Sequence, residues 1–107
     1  MALFSQPNTI SAEEAHRRME SGSPVILDVR TPVEYREVRL EGAKLLPVDE
    51  LAARAARELP DKNAPILVYC QSGMRAGAAV KQLTRMGYTD VVSFGGIMNW
   101  PYGTVRG

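Results

Sequence analysis

Four short apolar runs, separated by segments typical of helices, constrain the fold of this chain more than any other feature. The runs occupy residues 25–29, 43–46, 65–69 and 91–94, and three of them are rich in β-branched side chains. Nearly continuous apolar runs of this length are typical of strands that are buried on both faces of a parallel sheet. The alternation with helices therefore predicts an α/β fold with a largely parallel sheet, right-handed crossovers and helices on both faces.

Start signals mark the first two predicted helices. Ser11 and Glu14 have the spacing of a capping box, and Thr31 and Glu34 repeat it with Pro32 at the first helical position. We therefore interpret Glu34 first as part of a helix cap. The predicted helices cover residues 12–20, a short stretch from 32, residues 48–59 and residues 75–86.

Size and charge exclude several classes of protein. The 107 residues predict one domain over residues 1–107, and no apolar run approaches the roughly 20 residues of a membrane-spanning helix. Thirteen basic and twelve acidic residues give a net charge of +1 without a basic stripe, so no nucleic-acid partner is expected. Residues 1–7 lack the basic cluster and the longer apolar run of a secretory signal, which favours a cytoplasmic location.

The single cysteine of the chain, Cys70, directly follows the clearest predicted strand. One cysteine forms neither an internal disulfide nor a thiolate zinc cluster, so it is either an inert core residue or a reactive group. Ligands of open parallel sheets bind beyond the carboxyl ends of the strands, which is where Cys70 lies. Its position favours a reactive thiol, and nothing in the sequence implies a metal or an organic cofactor.

A six-residue loop connects this strand to the fourth helix. It reads Cys70-Gln71-Ser72-Gly73-Met74-Arg75. Thiolate is the nucleophilic form of cysteine, and we expect the backbone N–H groups of the loop and the positive end of the following helix to stabilise it. Gly73 permits a tight curl, and the same ring of N–H groups suits an anionic substrate. The loop is thus the predicted substrate-binding segment, with Arg75 as its only formal charge.

Asp28 and Arg30 lie at the end of another predicted strand and are expected at the same crevice. A carboxylate fork from Asp28 would fix the guanidinium of Arg30. We expect this pair to orient the loop rather than to contact substrate directly.

Several segments together resemble the rhodanese-like domains, and the resemblance covers nearly the whole chain. The segment 26–35 resembles the first signature of that family, and the cysteine loop resembles its active-site loop. Gly95, Gly96 and Trp100 resemble its C-terminal pattern. Residues 38–41, Val-Arg-Leu-Glu, depart from the family's usual Gly-His-Ile-Pro.

The resemblance implies a central, mainly parallel, five-stranded sheet with helices on both faces. It also implies a thiosulfate sulfurtransferase of the rhodanese type, in which Cys70 carries a sulfane sulfur as a persulfide. The partners would be a small-molecule sulfur donor and a thiol or cyanide acceptor.

Two alternatives remain open at this stage. One is a sulfur-relay or docking module that serves a protein donor or acceptor. The other is a phosphatase or arsenate reductase of the same fold, whose loop is longer by one residue. The four residues between Cys70 and Arg75 favour sulfur over phosphate.

Overall fold

The computed structural model describes residues 8–107. Residues 1–7, where the absence of a secretory signal was inferred, lie outside the described range. No helix within residues 8–107 is both long and apolar enough to cross a bilayer. In chain order the described elements are α1 Ala12–Ser21, β1 Val25–Asp28, α2 Pro32–Glu37, β2 Lys44–Leu45, α3 Leu51–Glu58, β3 Ile66–Cys70, α4 Met74–Arg85 and β4 Val91–Gly96, with 3₁₀ turns at Val48–Glu50 and Ile97–Asn99.

The described strands form one parallel sheet in the order β2-β1-β3-β4. The predicted parallel sheet is confirmed, but it has four strands in residues 8–107 rather than five. At the free edge of β4, the described residues add only a single parallel bridge, between Thr9 and Ser93. Asn8, the first described residue, has a left-handed φ of 62°.

Helices cover both faces of the sheet, as predicted. Ile66, Val68 and Cys70 of β3 belong to the core under α3 and α4, whereas Leu67 and Tyr69 belong to the core under α1 and α2. Every residue of β3 is buried. The central strand therefore places Cys70 in the interior, between two apolar layers.

The two predicted capping boxes differ. Thr31 and Glu34 form the complete box, in which each side chain accepts a hydrogen bond from the other's backbone N–H. Ser11 accepts from the backbone N–H of Glu14, but the carboxylate of Glu14 binds Arg17 and Arg18 instead of returning to the cap. The prediction for the first helix is thus half correct, because two arginines within one turn compete for the carboxylate.

The predicted third helix, residues 48–59, is a 3₁₀ turn followed by α3. Glu50 separates the two, with φ −109° and ψ 0°, outside the α-helical region. The backbone N–H of Val48 donates to the carbonyl of Val29, 3.1 Å away, which ties this turn to the end of β1.

Tyr88 provides a test of how α3 is held against the sheet. Its buried hydroxyl lies 3.0 Å from the carbonyl of Ala55 and 2.7 Å from that of Leu59, at the C-terminal end of α3. Tyr88→Phe leaves these carbonyls without this donor and should lower the free energy of unfolding by about 1–3 kcal/mol, measured by urea denaturation. Tyr102→Phe, at a more exposed tyrosine, should change it by less than about 0.5 kcal/mol. Equal losses in the two variants would contradict the role of Tyr88.

Candidate active site

Cys70 is the last residue of β3 and is 1% exposed. Its sulfur accepts a hydrogen bond from the backbone N–H of Gly73 at 3.0 Å. Gly73 has a φ of 123°, a conformation that favours glycine, and α4 begins at the next residue. The sulfur therefore lies inside a short curl of backbone, close to the N-terminal end of a twelve-residue helix, where partial positive charge favours an anion.

Gly96 permits the cysteine loop to pack against the end of β4. Cys70 pairs with Gly96, and the register shifts by one residue between this pair and the pair of Val68 with Ser93. A Cβ atom on Gly96 would lie 2.1 Å from the carbonyl oxygen of Gln71, a distance that real Cβ atoms do not reach. The resemblance to the family assigned no role to Gly96, although two consecutive glycines at a strand end are a signal of close backbone approach.

Asp28 and Arg30 meet as predicted, and they are almost completely buried. The carboxylate of Asp28 accepts from Nε and Nη2 of Arg30, at distances of 2.8–3.2 Å, and from the backbone N–H of Arg30 at 2.9 Å. Nη1 of Arg30 lies 3.4 Å from the side-chain oxygen of Gln71 in the loop. Burial opposes the charge of Arg30, but the Asp28 carboxylate outweighs it and raises the pKa of the guanidinium.

Tyr69 completes this buried group and was missed by the sequence analysis. Its hydroxyl donates to Oδ2 of Asp28 at 2.7 Å and accepts from the backbone N–H of Leu40 at 3.2 Å. Burial raises the pKa of Tyr69, so the hydroxyl keeps its proton and remains a donor. Arg30 also donates to the carbonyl of Val38 at 2.6 Å, so the group holds the segment that departs from the family pattern.

Arg75, the formal charge of the loop, is bound to Glu34. The two nitrogens Nη1 and Nη2 of Arg75 donate to the two carboxylate oxygens of Glu34 at 2.8 and 3.0 Å. The hydrogen bonds from Arg75, together with those from Thr31, overcome partial burial and lower the pKa of Glu34 to about 2. Glu34 is therefore both the helix cap that the sequence predicted and the partner of Arg75, a pairing that it did not predict.

The other loop residues face outward. Gln71 and Ser72 are exposed, and Met74 is 86% exposed. Within residues 8–107, no three His, Cys, Asp or Glu side chains are grouped so that they would bind a metal ion. An open depression borders the loop on the side of α4; its lining residues are Ser72, Gly73, Met74, Gly77, Ala78 and Lys81.

The sequence and the fold were compared with known proteins. Residues 11–101 match the family model described as "Rhodanese-like domain". "Thiosulfate sulfurtransferase PspE" of Escherichia coli is 38% identical over 81 residues, which cover 76% of this chain and 78% of that protein. The solved structure "rhodanese with anions from E. coli" superposes with a TM-score of 0.74 at 36% identity, covering 79% of this chain and all of the other.

A larger relative contains a similar segment. "Probable adenylyltransferase/sulfurtransferase MoeZ" of Mycobacterium tuberculosis is 32% identical over 102 residues, or 92% of this chain. The match spans only 26% of that protein.

Gly96→Ala tests whether the close approach of the two backbones fixes the loop. The added methyl group would collide with the backbone of Gln71 and Ser72, so we expect a loss of about 1–3 kcal/mol in the free energy of unfolding. Gly77→Ala is the matched control: its Cβ meets nothing within 4 Å in α4, and the change should stabilise the protein by up to about 1 kcal/mol. A Gly96→Ala protein as stable as the wild type would refute the packing argument.

Proposed function

Because the chain belongs to the rhodanese-like domain family, we propose that it moves a sulfane sulfur from a donor such as thiosulfate to a thiol or cyanide acceptor through a persulfide on Cys70. The observation that carries the proposal is the position of the Cys70 sulfur. It lies at the carboxyl end of a central strand and accepts a hydrogen bond from the backbone N–H of Gly73, in the loop that follows. The relatives named as sulfurtransferases support the same reaction.

The first half of the reaction loads the cysteine. The Cys70 thiolate attacks the outer sulfur of thiosulfate, the sulfur–sulfur bond of the donor breaks, and sulfite leaves with the electron pair. The product is a Cys70 persulfide whose terminal sulfur carries the negative charge. Because Cys70 is 1% exposed, the outer sulfur of the donor has to enter the loop to reach the nucleophile, while the sulfonate group stays outside.

The second half returns the cysteine to its starting state. The acceptor, cyanide or a thiolate, attacks the terminal sulfur, and the Cys70 thiolate leaves with the electron pair. Both half-reactions place negative charge on a sulfur within the curl of residues 70–73. The N–H of Gly73 and the N-terminal end of α4 stabilise that charge without having to reorganise.

The buried group of Asp28, Arg30 and Tyr69 acts in this proposal through the loop. Arg30 reaches the side chain of Gln71, and Asp28 and Tyr69 hold Arg30 in place. None of the three lies in the loop itself, so we assign them positioning roles and keep the chemistry for Cys70. The substrate-facing surface then consists of the loop residues Gln71, Ser72, Gly73 and Met74, with Arg75 at its edge.

A sulfur-relay module serving a protein partner is the second candidate function. The exposed Met74 of the loop favours this function, because an exposed apolar side chain near the cysteine suits contact with a protein surface better than contact with a small inorganic ion. MoeZ, of which a segment resembles this chain, is named as a sulfurtransferase with a second activity. A phosphatase or arsenate reductase is disfavoured by the four residues between Cys70 and Arg75.

We also propose a cytoplasmic location, because a lone cysteine remains reduced in that compartment.

Intact-mass measurement tests the proposed intermediate. After incubation with thiosulfate, the wild-type protein should gain the mass of one sulfur atom, and dithiothreitol should remove it. Cys70→Ser should gain nothing and should transfer no sulfur to cyanide, because a hydroxyl does not form a persulfide. Its circular dichroism spectrum should match that of the wild type, since serine nearly fills the same space. Sulfur transfer by Cys70→Ser at the wild-type rate would disprove the mechanism.

A further inference from the structure

The charge of Arg75 is already neutralised before any donor binds. Residues 71–74 carry no formal charge, so Arg75 is the loop's only cation, and both of its terminal nitrogens are bound to Glu34. The two side chains are 35% and 28% exposed, which leaves the pair partly shielded from water. Because the pKa of Glu34 is lowered to about 2, this neutralisation holds throughout the pH range of ordinary assays.

Exposed apolar side chains lie in the loop and in two segments that are connected to it. Val33, Met74 and Met98 are three of the four large hydrophobic side chains exposed in the described part of the chain. Each is connected to the loop: Met74 follows Gly73, the backbone N–H of Met98 donates to the carbonyl of Gln71, and Val33 precedes the Arg75 partner Glu34. Met74, which belongs to the loop and lines the depression, offers contact to a donor that carries an apolar group.

One cation lines the depression on the side of α4. Lys81 is exposed and lies about 10 Å along α4 from Met74. Lys81 gives the depression one positive side chain, which matches a single negative charge better than two. A dianion such as thiosulfate would have to compete with Glu34 for Arg75.

We propose that Glu34 sets the donor preference of this site: by neutralising Arg75 it favours monoanionic donors with an apolar group, such as aryl thiosulfonates or organic persulfides, over thiosulfate. The inference rests on the proposed sulfur transfer through Cys70. With an aryl thiosulfonate, the Cys70 thiolate attacks the outer sulfur, the sulfur–sulfur bond breaks, and the sulfinate leaves with the electron pair. The products are the Cys70 persulfide and a sulfinate, so atoms and charges balance.

The test compares benzenethiosulfonate with thiosulfate, which deliver the same sulfur atom but differ in charge and in an apolar ring. Initial rates with cyanide as acceptor give kcat/KM for each donor. The variant Glu34→Gln removes the charge and keeps a residue that serves the capping box with Thr31. Glu37→Gln, on the same helix and at a residue that belongs to none of the ion pairs within residues 8–107, controls for a general change in surface charge.

The wild-type protein should have a higher kcat/KM with benzenethiosulfonate than with thiosulfate. In Glu34→Gln, the KM for thiosulfate should fall about three- to tenfold, whereas kcat/KM for benzenethiosulfonate should change less than about twofold. Added potassium chloride should weaken the gain, because it screens the freed Arg75. In Glu37→Gln, the ratio of the two kcat/KM values should remain that of the wild type.

Arg75→Gln tests the same claim in the opposite direction. This variant removes the cation and leaves the negative charge of Glu34 without this partner. The kcat/KM for the dianion thiosulfate should therefore fall more than the kcat/KM for the monoanion benzenethiosulfonate. The proposal is overturned if the wild type prefers thiosulfate, if Glu34→Gln leaves the donor ratio unchanged, or if Glu37→Gln shifts it equally. Equal losses with both donors in Glu34→Gln, with a lower melting temperature, would also overturn it by making Glu34 purely structural. If neither donor loads sulfur onto the wild type, the proposed function fails instead.

Discussion

The contact between the backbone of the cysteine loop and the end of β4 is the constraint on which the rest of the site depends. Gly96 pairs with Cys70 and leaves no room for a side chain beside Gln71 and Ser72. The loop consequently turns tightly enough to bring the N–H of Gly73 to the Cys70 sulfur and to start α4 at Met74.

A buried charged group at the end of β1, the other neighbour of β3 in the sheet, also contacts this loop. Removing Asp28 and Arg30 from water is costly, and apolar residues of similar volume often stabilise a protein as well as a buried ion pair does. Stability alone therefore does not account for the pair. Its hydrogen bonds extend to Gln71, to the carbonyl of Val38 and, through Tyr69, to the backbone of Leu40. We interpret the group as a means of fixing two separate segments relative to each other.

Local patterns were sufficient to predict the four strands, the starts of α1 and α2 and the location of Cys70 at a strand end. The fork between Asp28 and Arg30 was also predictable, because the residues are only two positions apart. In contrast, the pair of Glu34 and Arg75 and the bond from Tyr69 to Asp28 each join residues 41 positions apart. Such contacts depend on how neighbouring strands are aligned, which no local pattern specifies. The count of five strands came from the family resemblance, whereas residues 8–107 form four strands and add the single bridge of Thr9 with Ser93 at the edge of β4.

The central claim is that the curl of residues 70–73 holds the transferred sulfur as an anion, and a crystal structure of the thiosulfate-treated protein tests it most directly. The account predicts one additional sulfur atom bonded to Sγ of Cys70, within about 3.5–4 Å of backbone N–H groups of the loop, with the pairing of Cys70 and Gly96 intact. A persulfide whose terminal sulfur points away from the loop, with no N–H group within that distance, would contradict it.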